Sequence, residues 1–336
     1  MSEHNLFELW ICRFLLEHLP KERKLSRNTQ NSYRETLALL LKFASRRAGV
    51  DIDYLSFQDL APRTVRAFLD HLEQERGCSV ATRNQRLSVM HSLAHFLSTQ
   101  SVDPKWCRGI RGIPFKKPSV QDADYLETTE LETLLRTPDP RTRFGLRDRA
   151  LLLFLYNTGA RAAEVARLKI SSLQLESSQS VRIAGAGKQS RICPLWPATV
   201  ALLRPLVAGR SPADPIFSCR AGKSMTRFGI YTAVVAHAKN ASKLRPSMAG
   251  KRISPHTLRN TTVVHLIRAG ADIKAVHAVL GTFSSDERFV HSTPDTRKAH
   301  GAHSIRDLHQ PPSTTLSDLA GFTTAERRES TGAAEL

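Results

Sequence analysis

Cysteine is scarce in this 336-residue chain. The five present, Cys12, Cys78, Cys107, Cys193 and Cys219, are odd in number, scattered and never spaced C-x-x-C. That argues against a disulfide framework and a thiolate zinc site, and fits a reducing, cytoplasmic setting. Acidic residues are also in short supply: 31 Asp and Glu stand against 49 Lys and Arg, a formal charge of +18. No apolar run approaches the ~18 residues of a membrane-spanning helix. The stretch A-L-L-L-F-L-Y at 150–156 is among the longest, and it sits between charged flanks. The opening M-S-E-H-N lacks the basic region and small-residue cleavage site of an export signal. What is there is apolar material at 41% of residues, enough for packed cores and against wholesale disorder. At roughly 150 residues per domain the length allows about two of them. So much positive charge is met most simply by a polyanionic partner, with nucleic acid the default.

Apolar residues recur at helical spacing from the start. Leu6, Trp10, Phe14, Leu15 and Leu16 form a first stripe, which Pro20 is expected to stop. A second helix is predicted over 29–47 (Leu37, Leu40, Leu41, Phe43), ending near Gly49. A third spans 61–75 (Val65, Phe68, Leu69, Leu72) and closes at Gly77. A fourth spans 80–98 (Leu87, Met90, Leu93, Ala94, Leu97), with Arg83, Asn84 and Arg86 on its other side. Residues 1–112 therefore read as a four-helix bundle with a basic face. The segment 113–124 opens I-P-F-K-K-P-S without periodicity and reads as a linker, whose Lys116 and Lys117 are candidates for phosphate contact.

The pattern then changes. Helices are predicted near 128–135, 146–156 and 160–168, followed by strand-like alternation over 181–195 with Gly185-Ala186-Gly187 as a hairpin turn. Helices resume at 197–207, 226–238, 256–269 and 273–280. Residues 125–310 thus form a mixed α+β domain, and 311–336, rich in Ser, Thr, Pro and Gly, a flexible tail. There is no internal repeat. The fold class is mainly α with a small β-sheet.

Two segments are suited to chemistry on an anion. In Y-N-T-G-A-R-A-A-E (156–164), Gly159 ends one helix and Arg161 opens the next, where backbone N–H groups also favour negative charge. Glu164 follows at i+3, within reach of the guanidinium; in isolation the pair reads as an ordinary surface ion pair. In I-S-P-H-T-L-R (253–259), Ser254 suits an N-cap and Pro255 the first helical position, placing His256 and Arg259 on one face. A guanidinium fork binds two phosphoryl oxygens and an imidazole moves a proton near neutral pH. His91 and His95, at i and i+4, lack a third ligand nearby and read as an ordinary helical pair, and His300 and His303 likewise; no metal and no cofactor is assigned.

Taken together and in this chain order, these segments resemble the tyrosine recombinases, or phage integrases, over about residues 5–300. The resemblance is carried by T-G-A-R-A-A-E-V-A-R-L (158–168), G-A-G-K-Q-S-R-I-C-P-L (185–195), S-P-H-T-L-R (254–259) and A-G-A-D-I-K-A-V-H-A-V-L-G (269–281). It implies a SAM-like helical core-binding domain and a catalytic domain that close on double-stranded DNA as a clamp. It also implies strand exchange by associated protomers. Of the family's catalytic set it assigns two phosphate-clamping arginines to Arg161 and Arg259, the acid/base histidine to His256 and a supporting carboxylate to Glu164.

Three positions depart from the family pattern. The hairpin lysine that protonates the leaving 5′ oxygen is replaced by Ala186, with Lys188 two residues on as a candidate substitute. The supporting His or Trp is Thr282, and the tyrosine nucleophile aligns with His291. The five tyrosines, at 33, 54, 125, 156 and 231, all precede His256. The expectation is a DNA-binding protein with very slow or absent strand cleavage. Two alternatives stand beside it: an active recombinase with a substitute nucleophile, either His291 or a partner's tyrosine, and a non-catalytic DNA-binding regulator. Arg83, Arg86, Lys116, Lys117, Lys188 and Arg191 are the expected contacts to DNA.

Overall fold

A computed structural model describes residues 3–117, 124–185 and 190–280. The chain divides into two units, residues 1–121 and 122–336.

In the first unit α1 (Glu3–Arg13) runs into a π-helical stretch, Phe14–Glu22, that contains Pro20. Pro20 was expected to end the helix; instead the wider turn carries the chain past it. The π-type bond from the Arg23 N–H to the His18 carbonyl spans five residues, and Phe14 and Leu19, ahead of Pro20, are buried. Tertiary burial thus overrides the missing proline donor. The next helices begin where the side chains can cap them. Ser26 caps α2 (Arg27–Ala48) and Ser79 caps α4 (Val80–Thr99), each accepting from a threonine N–H at 3.2 Å. Pro62 opens α3 (Pro62–Gln74). Leu37, Leu40, Phe68, Leu69, Leu87, Met90 and Leu97 make up much of the core.

The bundle has a fifth member. Asp103 caps α5 (Pro104–Arg111) through the Trp106 N–H, and the Trp106 indole donates to the Leu60 carbonyl at 2.9 Å. The cap and the first-turn proline were visible in D-P-K-W, but eight residues fall below the length at which periodicity speaks. The expected linker also starts later than 113. Ile113 is buried, Arg83 donates to the Pro114 carbonyl at 3.1 Å, and Asn84 bonds the Lys116 backbone in both directions, at 2.7 and 3.1 Å. Asp124 already belongs to the second unit, where it accepts from the Arg252 N–H at 3.0 Å.

The second unit packs helices α6 (Thr128–Arg136), α7 (Arg143–Thr158) and α8 (Ala162–Val165) ahead of an antiparallel sheet of order β1-β2-β3. Its strands are Leu173–Gln174, Ser180–Ala184 and Ser190–Pro194. The β2–β3 register pairs Val181 with Cys193 and Ile183 with Arg191. Val181, Ile183 and Cys193 face the core while Arg182 and Ile192 face out, the period-2 alternation of a one-sided sheet. Helices α9 (Pro197–Val207), α10 (Arg227–Leu244), α11 (Pro255–Arg268) and α12 (Ile273–Leu280) follow. The C-terminal part of α7, Arg149–Thr158, and nearly all of α11 are buried, and the two helices pack together. Tyr156 bonds His265 Nδ1 at 2.8 Å and Thr262 donates to the Tyr156 carbonyl at 2.6 Å. That fixed pair of helices positions the site. Among the described residues no helix is long and apolar enough to cross a membrane.

Candidate phosphate-binding site

Both arginines are placed by the break after α7. Gly159 adopts φ +55°, and a Cβ there would lie 2.2 Å from Leu280 Cδ2, so the turn requires glycine on two counts. Its carbonyl accepts from Arg259 Nη1, fixing the second arginine to the same turn that presents the first. Ser254 and Pro255 start α11 as their residue types predict, the Ser254 hydroxyl accepting from the Thr257 N–H at 3.3 Å. One turn on, Arg259 is 2% exposed, whereas His256 is exposed.

Arg161, His256 and Arg259 line one cavity of about 420 Å³. Three residues that sequence reasoning did not single out share its wall: Arg227, Phe228 and Tyr231, all from the first turns of α10. Phe228 and Tyr231 are large, exposed aromatics beside cations. No short motif marks them, because α10 reaches the cavity only through tertiary packing.

Arg161 is the N-cap of α8 rather than a residue of its first turn, and α8 has four residues. The Arg161 N–H donates to Glu164 Oε2 at 2.9 Å, and the Glu164 N–H to the Arg161 carbonyl at 2.8 Å. Glu164 is the hub. Its side chain is 4% exposed, and Oε1 accepts from Arg161 Nη1 at 3.4 Å. Arg191, expected as a hairpin contact to DNA, instead points inward, as its register opposite Ile183 dictates. It grips Glu164 with both Nη atoms, at 3.1 and 2.8 Å. Burial raises the Glu164 carboxyl pKa, but Arg191, the Arg161 N–H and the two positive charges outweigh it and hold the group below its ordinary value. Burial works in the other direction on Arg191, where the carboxylate prevails and raises it. Cys193, buried beside them, has its thiol pushed up by burial to about 11, with Arg191 and Arg259 pulling the other way. Burial thus disfavours its thiolate, the reactive form.

The expected basic face of α4 differs from its prediction. Arg83 is buried, donating to Asn84 Oδ1 and the Pro114 carbonyl and lying 3.8 Å from Glu73. Arg86 crosses to α2, bonding the Ser32 carbonyl, Thr36 Oγ1 and Glu35 at 3.3, 2.7 and 2.8 Å. These side chains tie helices and a chain segment together. Lys116 pairs with Glu73 at 2.6 Å while half exposed, and Lys117 is exposed. His91 packs edge-on against Phe115, ring centroids 5.0 Å apart. Ala186, Lys188, Thr282 and His291 lie outside the described residues, as do His300, His303 and 311–336.

A helical bundle is thus followed by an α+β unit in which Arg161, His256 and Arg259 line one cavity. The phage integrase family model matches residues 124–289, and the phage integrase N-terminal SAM-like domain matches 13–101. The integrase/recombinase-type protein y4rD of Sinorhizobium fredii is 34% identical over 268 residues, 77% of this chain and 95% of that protein. Tyrosine recombinase XerD of Vibrio cholerae is 28% identical over 319 residues, covering 91% of this chain and all of its own length. Among solved structures, the Tn1549 transposon integrase in complex with a circular intermediate DNA superposes with a TM-score of 0.67. It covers 86% of this chain and 98% of its own at 14% identity, a likeness of fold. The chain belongs to the phage integrase family, the tyrosine recombinases.

Proposed function

We propose that this chain binds double-stranded DNA, gripping a backbone phosphate with Arg161, His256 and Arg259, and that it is impaired in strand cleavage. One juxtaposition carries the reading. Arg161, His256 and Arg259 line one cavity, while no tyrosine follows Tyr231 and the family resemblance puts His291 at the nucleophile position. Transesterification without a cofactor needs an enzyme atom to hold the phosphoryl group while strands exchange. Removing a nucleophile that acts as a unit with its site costs on the order of 10⁶ in rate. Ala186 and Thr282, at the positions of the hairpin lysine and the supporting His or Trp, compound the loss, with Lys188 the candidate replacement donor. The DNA-bound Tn1549 integrase of like fold, and the excess of cations, support DNA as the ligand. Association with further recombinase protomers on DNA belongs to the same reading.

The test is a suicide duplex, nicked so that the cleaved strand diffuses away, incubated with the full chain and read by denaturing gel and peptide mass spectrometry. The impaired-enzyme reading expects DNA binding and no covalent adduct. His291→Tyr with Ala186→Lys should then restore an adduct at 291. A second reading, cleavage through a substitute nucleophile, draws support from Tyr231, whose half-exposed side chain lines the cavity. Tyr156, in contrast, is buried against His265. An adduct mapped to Tyr231 or His291 in the unaltered chain would establish that second reading.

A further inference from the structure

The first unit holds a second group of cations, on α2 and α3 rather than α4. Lys42, Arg46, Arg47 and Arg76 line a cavity of about 540 Å³ formed by these two helices and the turn after α3. All four are exposed, and among the described residues none of them makes a side-chain hydrogen bond or ion pair. Arg83 and Arg86, in contrast, are bonded within the bundle. The lining also holds a carboxylate, Glu75, but its Oε2 is engaged by His71 Nδ1 at 2.9 Å. Beneath the charges the cavity is apolar. Phe43 is half-buried, with the rings of Phe68 and His71 at 5.7 and 5.2 Å between centroids.

We propose that this groove docks an acidic segment of a partner protein, its carboxylates on the cationic rim and one aromatic or aliphatic side chain against Phe43. Four like charges around one cavity repel one another, and a polyanionic occupant relieves that repulsion. On α2, Lys42 and Arg46 stand one turn apart, as do Phe43 and Arg47, so rim and floor run side by side along the helix. The helix dipole alone favours cations at the end of α2, but it asks for no apolar floor beneath them. A concave site with an aromatic base and a polar rim is the form that receives an anchoring side chain. Duplex DNA matches only half of it. Its phosphates can meet the rim, but its bases are stacked, and one reaches the floor only by being flipped out. An acidic peptide brings carboxylates and an apolar anchor together on one strand. The inference is independent of the phosphate site in the second unit.

The experiment titrates the full chain with a short fluorescent peptide in which aspartates and glutamates flank one phenylalanine, read by anisotropy at about 0.1 M salt. Binding is expected, and it should weaken as salt rises. Replacing the peptide's phenylalanine by serine should weaken it by about tenfold or more, the worth of one buried ring. Arg46→Gln with Arg47→Gln should weaken it by about tenfold, with the thermal transition of the chain unchanged. Arg63 and Arg66 are exposed on α3 outside the cavity lining. Arg63→Gln with Arg66→Gln should therefore change it by about twofold or less. No binding, indifference to the peptide's phenylalanine, or an equal loss in both pairs of variants overturns the proposal. A random-sequence duplex titrated in parallel should keep its salt slope in Arg46→Gln with Arg47→Gln. A slope lower by about 0.9 per lost contact would assign the groove to DNA and overturn the proposal as well. If that pair does not fold, Arg76→Gln decides: a loss of about threefold in peptide affinity supports docking, and no loss refutes it.

Discussion

The arginines of α4 in the first unit and the arginines around α8 in the second unit all bond groups of their own unit, but the second set includes Arg161, which also lines a cavity. Arg83 and Arg86 meet carboxylates and carbonyls of their own bundle, with Glu73 and Glu35 near at hand. In the second unit Glu164 serves both Arg161 and Arg191, while Arg259 donates to a backbone carbonyl and carries its charge to the cavity wall. A surplus of cations therefore says little about where an anion binds. The local count of acceptors around each guanidinium says more, and that count is a property of packing.

The largest effect that would sharpen this contrast is at Arg259. Arg259→Ala should cost about 2–4 kcal/mol of stability, from an unsatisfied Gly159 carbonyl and a void in the core. DNA binding should weaken as well, measured by urea unfolding and titration. Gly159→Ala should cost about 1–3 kcal/mol, since the left-handed turn and Leu280 both oppose a methyl group. In the first unit Arg86→Ala should lower stability by about 1–2 kcal/mol, through its bonds to Ser32 and Thr36, with the salt slope of DNA binding unchanged. A lowered slope there would erase the distinction between the two regions. Arg161→Ala is the mirror image: less than about 0.5 kcal/mol in unfolding, because the side chain is half exposed, but a slope lower by about 0.9.

Acid gives the finest discrimination. Glu130 is buried with Lys251 at 2.6 Å and Ser247 at 2.7 Å. Burial raises its pKa, but these partners and the Glu127 N–H hold it below the ordinary value, as Arg191 does for Glu164. Both carboxylates thus contribute stability that is fully present above the usual pKa of about 4.3 and is lost as pH falls through their lower folded values. Urea midpoints of the second unit should drop between about pH 4.5 and 3. Replacing Glu130 and Glu164 by Gln should flatten that dependence; an equally steep fall in the double variant would assign it to other groups.

Much of this was legible from residue order. Ser254 with Pro255 announced the start of α11, Gly159 announced the break that presents Arg161, and the alternation over 181–195 announced the pairing of β2 with β3. Each is a local rule of capping, backbone freedom or alternation that needs no distant partner. Other features were not legible for a matching reason. Pro20 is carried through a π-helical stretch by the burial of Phe14 and Leu19. Eight-residue α5 is held by the Trp106 bond to Leu60, 46 residues away in the chain. Arg191 could have been placed inward from the alternation of Val181, Ile183 and Cys193 across the register, a signal present but readable only once the pairing was known.

Residue order alone indicated most of the helices, the paired strands and the lack of a tyrosine beyond position 231, because these depend on nearest neighbours or on identity alone. Tertiary structure decided which arginines line a cavity. A guanidinium is the same group everywhere in the chain, and only the fold determines whether a carboxylate arrives to neutralise it.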